Sequence, residues 1–354
     1  MYKIMHGGDI YQNKVKYDFS VNVNPKGIPR KVLSALKKSV KNAVHYPDMS
    51  CSRLKKMLSE KLLVEEDCLS FGNGASELIC AFIRAANVKS ALVFAPSFSG
   101  YASALRSAGA RINYFYLKEE NDFALDKSGT EALKLEILSK KYDAVLITNP
   151  NNPNGKLIPR NLMEEIAGTC ESSGANLLVD ECFMELTGKS AGFSFLPLLQ
   201  SREYQKITVL RAFTKTFAVP GIRLGYCVSS KETARKIKIQ LPEWNVSVLA
   251  ENAGIACLGE KNYLEKSLRL IAREREYLSR NLASLGFKVF PSDANYILFK
   301  DFRGVDLKRL LLEKKILIRG CSDYEGLENG FYRIAVRTRR ENRLLLHFLA
   351  LLKN

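Results

Sequence analysis

The chain has 354 residues, 46% apolar and 26% charged, the composition of a globular, enzyme-sized protein with two domains or one large domain and an appendage. No apolar run reaches the ~20 residues of a membrane span, the opening MYKIMHGGDIYQNK lacks a signal-peptide core, and the eight cysteines and three histidines show neither C-x-x-C nor metal-ligand spacing; a cytoplasmic protein without a structural metal or a membrane partner is expected. Lys and Arg exceed Asp and Glu by 54 to 37, but they are spread over most predicted helices as solvated faces, which argues against nucleic acid as a partner and leaves a field that favours an anionic substrate.

Residues 1–45 lack a strand–helix rhythm and are expected to pack on a small carboxyl-terminal domain. In the stretch 46–245, ALVFA (91–95), DAVLIT (143–148), NLLVD (176–180), ITVLRA (207–212) and LGYCVS (224–229) read as buried strands. Amphipathic segments near 99–107, 129–139 and 160–173 alternate with them. That alternation predicts an α/β large domain with a mainly parallel sheet. From 246 to 354 a helical pattern to about 285 is followed by FKVF, NYILF, KILIR and FYRIAV, one intervening helix and a closing one, which predicts a smaller α+β domain.

Four strand ends carry chemistry. GNGASE (72–77) joins a strand to a helix; its glycines permit a sharp turn, and the helix N-terminus offers free N–H groups to a phosphate, although an ordinary turn reads equally well. TNPNNPNG (148–155) is a tight loop at the end of a parallel strand, where such sheets place ligands. Asp180 ends the next strand, and a carboxylate there needs a partner such as a protonated ring nitrogen. FTKTFAVPGIRLGY (213–226) then supplies Lys215 and Arg223. An amine, a carboxylate, an asparagine, an arginine and phosphate donors together suit a heteroaromatic aldehyde phosphate.

With these motifs in this order, the sequence resembles the fold-type I pyridoxal-phosphate enzymes of the aminotransferase class I/II branch over nearly its whole length. The resemblance implies a seven-stranded, mainly parallel sheet flanked by helices, a smaller α+β domain, and pyridoxal 5'-phosphate as cofactor. It implies that Lys215 bonds the cofactor aldehyde and carries protons, and that Asp180 pairs with the ring nitrogen. Asn152 would hydrogen-bond the ring hydroxyl, Phe98 would stack on the ring and Cys182 would pack beneath it. Gly74, Ala75, Ser76, Thr214 and Arg223 would bind the phosphate. Tyr46 would reach the other subunit's site in a homodimer, and Arg333 would clamp the substrate carboxylate. One departure is Ala212, where the family usually keeps a hydroxyl that contacts the phosphate, a loss of about 1 kcal/mol.

Two members of the branch lie near: threonine-phosphate decarboxylases of cobalamin biosynthesis and histidinol-phosphate aminotransferases. Both act on phosphorylated amino compounds. The opening HGGDI and DFSVNVNPKG resembles the decarboxylases, which implies substrate contacts from His6, Gly7, Asn22 and Asn24. Phe183 stands where aminotransferases usually have a tyrosine. The segment ILIRGCSDYEGLENGFYRIAVRT also resembles the decarboxylases and implies that Arg319 binds the substrate phosphate; Arg337 within it is either a further anion contact or a support. Decarboxylation of threonine phosphate is the expectation. Serine phosphate, transamination of histidinol phosphate, and a binding-only role as in regulators of this fold are the alternatives.

Overall fold

The computed structural model describes residues 7–201 and 204–352. Its large sheet has seven strands in the order Leu69–Asn73, Leu224–Ser229, Ile207–Ala212, Asn176–Asp180, Ala144–Thr148, Ser90–Ala95 and Arg111–Tyr116. All run parallel except Leu224–Ser229, which is antiparallel to both of its neighbours. The inner strands are apolar on both faces because helices cover both sides. Helices Lys127–Lys140 and Arg160–Ser173 bury one face with Val145, Leu177 and Val209. Helices Ala75–Ala85 and Ser99–Ser107 bury the other with Val93, Leu146 and Leu210.

Because one strand runs backwards, its start joins the carboxyl edge of the sheet. Thr148 stands opposite Asp180, and Gly225 lies between Gly72 and Ala212. The chemistry-bearing residues of four strand ends therefore share one rim.

A second, antiparallel sheet has the order Arg319–Gly320, Phe331–Ala335, Tyr296–Lys300 and Lys288–Val289. Helices Tyr263–Ser284 and Arg339–Leu351 close its core of Leu278, Ile297, Ile334, Leu345 and Leu349. The amino-terminal segment is tied to this unit: Tyr17 and Asp18 pair with Ile316 and Leu317, and Phe19 enters the same core. Helix Arg30–Ser39 contributes Val32 to a different core, shared with Leu54, Leu224 and Ala253. Helix Val248–Leu258 belongs to that core too, and it is along Tyr263–Ser284 that the chain enters the small sheet's core. Among the described residues, no helix is long and apolar enough to cross a membrane.

Candidate active site

A cavity of about 460 Å³ opens at the sheet's rim, between the strand ends, residues 20–22 and three side chains near the small sheet: Arg319, Tyr324 and Arg333. Lys215 lies in its wall. The strand Ile207–Ala212 ends there and one helical turn, Phe213–Thr216, follows at once, which sets the lysine at the cavity, half-buried. Burial lowers its pKa to about 8; the positive charges of Arg333 and Arg223 push the same way. Its Nζ sits 5.7 Å from the centroid of Phe183, whose ring packs edge-on against Tyr296. An amine lowered in this way is more readily available as a free base, the form in which an amine can act as a nucleophile.

Asp180 is buried at the end of its strand, held on both oxygens. Tyr101 Oη donates to Oδ2 at 2.6 Å, and the Cys182 amide donates to Oδ1 at 2.9 Å. Burial and then the carboxylate itself push the Tyr101 phenol well above its ordinary value, so it stays protonated. Having spent its proton on Asp180, Tyr101 Oη accepts from Thr148 Oγ1 at 2.9 Å, and Thr148 lies 3.3 Å from Ser97 Oγ. The Cys182 thiol is likewise pushed far up by burial, so it is a neutral neighbour of Lys215 and not a nucleophile.

The strand Leu69–Asn73 turns at Gly74, with φ of 78°, into helix Ala75–Ala85, whose first turn has no side-chain cap. Its first two residues, Ala75 and Ser76, line the cavity with Thr214 and Arg223, so the first-turn N–H groups that a helix leaves without partners are close to it. Gly74 does not itself line the cavity. A Cβ on it would collide with the Arg223 guanidinium, and one on Gly225 would sit 2.8 Å from the Ala75 nitrogen. Both positions must be glycine for the arginine and the reversed strand to close around the turn. Ala212 also lines the cavity, with no hydroxyl to offer. These donors, the fixed carboxylate and the half-buried amine fit a pyridoxal phosphate.

In TNPNNPNG only Thr148 and Asn152 line the cavity. Asn149, Asn151 and Asn154 brace the loop: their amides donate to Ile158 O and Phe193 O, to Pro96 O, and to Phe123 O respectively. Asn152 Oδ1 accepts from Arg333 Nη1, which leaves its amide nitrogen as the group able to donate into the cavity. Phe98 lines the cavity above helix Ser99–Ser107 and meets the Tyr101 ring edge-on at 5.5 Å.

Arg319 and Arg333 are directly opposite one another on neighbouring antiparallel strands, so their side chains project from the same face of the small sheet. Both are buried, at 3% and 6% exposure. Arg333 also donates to Tyr324 Oη at 3.0 Å and to Ser20 O at 2.9 Å, while its Nε has no partner. Arg319 is paired with Asp323 at 2.7 Å. Like charges opposite one another are unfavourable unless anions offset them, and among the described residues the ion pair made by these two guanidinium groups is that of Arg319 with Asp323.

Other expected contacts are placed differently. Gly7 and Asn22 line the cavity, and Asn22 Oδ1 is buried without a partner. Asn24 lies outside it: its amide is bound to Thr216 O and Ser267 Oγ, where it ties the amino-terminal segment to the Lys215 turn. Arg337 also lies outside: its guanidinium is bound to Glu341 at 2.9 Å, so it supports the start of the last helix and does not contact the cavity. Tyr46 is 81% exposed and packs at a tilt against Trp244, ring centroids 4.8 Å apart, and does not line the cavity of its own chain. His6 lies outside the described residues.

The sequence reading had not singled out Tyr101, Thr148, Ser20 or Tyr324. Thr148 was detectable as the last residue of a buried strand. Tyr101 and Tyr324 are oriented by long-range contacts that leave no local signal.

A doubly wound sheet with a cavity-lining lysine, a braced carboxylate and an uncapped helix N-terminus at its carboxyl edge defines a pyridoxal-phosphate-dependent enzyme of fold type I. The chain belongs to the family described as aminotransferase class I and II, which matches residues 14–349. It is similar to a threonine-phosphate decarboxylase of Salmonella typhimurium, with 34% identity over 98% of this chain and 96% of that one. It is also similar to a histidinol-phosphate aminotransferase of Carboxydothermus hydrogenoformans, with 33% identity over 94% of this chain and 92% of that one. Among solved structures, a histidinol-phosphate aminotransferase from Clostridium acetobutylicum superposes with a TM-score of 0.87 and 34% identity, covering 96% of this chain and 99% of that one.

Proposed function

We propose that the protein decarboxylates L-threonine O-3-phosphate to (R)-1-amino-2-propanol O-2-phosphate, the amine of the cobalamin nucleotide loop. The observation that carries this reading is the buried, directly opposed pair Arg319 and Arg333 lining the Lys215 cavity, of which Arg319 alone is paired with a carboxylate, Asp323. Such a pair suits a substrate with two anionic groups. Arg333 takes the carboxylate and Arg319 the phosphate, with Gly7 and Asn22 beside it.

In the reaction the bond from Cα to the carboxylate breaks, carbon dioxide leaves, and the electron pair left at Cα takes up a proton. Pyridoxal phosphate, when bound, supplies the electron sink for that pair. Asp180, fixed by Tyr101 and the Cys182 amide, offers its charge to the ring nitrogen. Lys215, lowered to about 8, delivers the proton to Cα near neutral pH. The two arginines fix which bond at Cα stands perpendicular to the ring, and hence which bond breaks. Phe183 has no hydroxyl to offer, so the Asn152 amide would be the donor to a hydroxyl or oxide of a bound ring.

The second reading, transamination of histidinol phosphate, is favoured by the Carboxydothermus relative, which is nearly as similar as the decarboxylase. Serine phosphate differs from threonine phosphate by one methyl, worth about 1–3 kcal/mol of discrimination. Comparing kcat/KM for carbon dioxide release from threonine and serine phosphates with that for 2-oxoglutarate-dependent turnover of histidinol phosphate decides among them. A homodimer in which Tyr46 completes the partner's site belongs to the same proposal; its support is the exposure of that ring, packed against Trp244.

A further inference from the structure

Among the described residues, Tyr324 lines the cavity and is in contact with both arginines. Its hydroxyl accepts from Arg333 Nη1 at 3.0 Å and stands 3.4 Å from Asn152 Oδ1. Its ring lies 5.1 Å beneath the Arg319 guanidinium, within cation–π range. The rest of the ring is fixed in the core with Leu117, Phe123, Cys321 and Phe331. One rigid side chain with two torsions therefore fixes two flexible guanidinium groups, each of which otherwise has several rotamers to lose on binding. On the Asp323 side, Arg319 is restrained from the same short segment, 319–324.

We propose that Tyr324 is a positioning and specificity residue that holds Arg333 and Arg319 at a fixed separation, so that the site accepts a compound carrying carboxylate and phosphate together and disfavours one carrying either alone. The proposal rests on the assignment of Arg333 to carboxylate and Arg319 to phosphate. The hydroxyl acts on Arg333 and on Asn152, so it governs the carboxylate end and its angle to the ring. The aromatic face acts on Arg319, so it governs the phosphate end. The two ends of the tyrosine are therefore separable by substitution.

The test uses the pyridoxal-phosphate-loaded protein, Tyr324→Phe, Tyr324→Leu and two probes that lack an amine. Inorganic phosphate reads the phosphate clamp; 3-phosphoglycerate reads both clamps. In calorimetry, Tyr324→Phe weakens 3-phosphoglycerate about tenfold, the loss of one hydrogen bond to a charged group, and leaves inorganic phosphate within about twofold. Tyr324→Leu weakens both. With threonine phosphate, Tyr324→Phe lowers kcat as well as raising KM, because a freed Arg333 no longer fixes the carboxylate's angle; a purely structural tyrosine lowers the melting temperature and leaves kcat alone. If the wild type prefers 3-phosphoglycerate to phosphate and Tyr324→Phe keeps that preference, Tyr324 is not the positioning residue and the clamp assignment stands. If the wild type shows no preference, the clamp assignment falls and this proposal with it.

Discussion

Tyr101 Oη donates to Asp180 Oδ2 at 2.6 Å, and both residues are buried behind Phe98. The bond fixes the rotamer of the carboxylate and supplies one of its two donors. Replacing Tyr101 with Phe keeps the ring and removes a hydrogen bond to a charged group, a loss of about 1.5–3 kcal/mol. Tyr101→Phe is expected to lower kcat about tenfold or more with KM nearly unchanged. Steady-state kinetics check this; an equal loss in KM alone contradicts it.

Lys215 titrates near 8 in the fold, where an exposed lysine titrates above 10. Its folded pKa lies below its unfolded one, so between the two values the unfolded chain holds more protons and stability rises with pH. Below about 8 the half-buried charge costs the cofactor-free protein roughly 3 kcal/mol, at 1.36 kcal/mol per pH unit. Lys215→Met in the cofactor-free form is expected to be more stable than the wild type at pH 7, with the gap closing as pH rises toward 10. Denaturant midpoints across that range test the sign. In the wild type, the rate of bond formation with pyridoxal phosphate is expected to rise with a midpoint near pH 8.

Around the phosphate turn, two substitutions are expected to act in opposite directions. Ala212 lines the cavity without a donor, so Ala212→Ser restores one hydroxyl and tightens cofactor binding about fivefold, near 1 kcal/mol. Gly225→Ala places a methyl 2.8 Å from the Ala75 nitrogen, forces the strand from the turn, and weakens both cofactor binding and the fold by about 1–3 kcal/mol. Equilibrium dialysis and thermal unfolding of the two variants measure the effects.

The α/β architecture was legible because inner strands such as Ala144–Thr148 and Asn176–Asp180 are continuous apolar runs between helices. The edge strand Arg111–Tyr116 was not, since it is only half-buried and its sequence RINYFY carries no buried run. Helix Val248–Leu258 reads as one pattern with the helix after it, yet the two bury their faces in different cores. In the site, residues fixed by a strand end or a local turn, Lys215, Asp180, Asn152 and Arg223, were legible together because one motif sets each. Asn24 went elsewhere because its amide found Thr216 across the fold, which spacing does not reveal, and Arg337 because Glu341, four residues on at the start of the last helix, holds its guanidinium. Tyr101 and Tyr324 escaped notice for the same reason: each hydroxyl finds its partner through a long-range contact.

Tyr46 is exposed and does not line the cavity of its own chain. If it serves the neighbouring subunit, Tyr46→Ala and Lys215→Ala are each inactive or nearly so as homodimers. Unfolded together and refolded as a mixture, they are expected to regain about a quarter of wild-type activity, because half of the dimers are mixed and one of their two sites is intact. Activity no greater than the mean of the two variants contradicts the shared site.

In the proposed reaction the bond from Cα to the carboxylate is the one that breaks. Threonine phosphate labelled at its carboxyl carbon, supplied to the loaded enzyme without any 2-oxo acid, tests it directly. The label is expected to leave as carbon dioxide, one equivalent for each amino-propanol phosphate formed, over many turnovers. Label retained in a 2-oxo acid after a single turnover, with activity restored only by adding an amino-group acceptor, would contradict it and make the protein an aminotransferase.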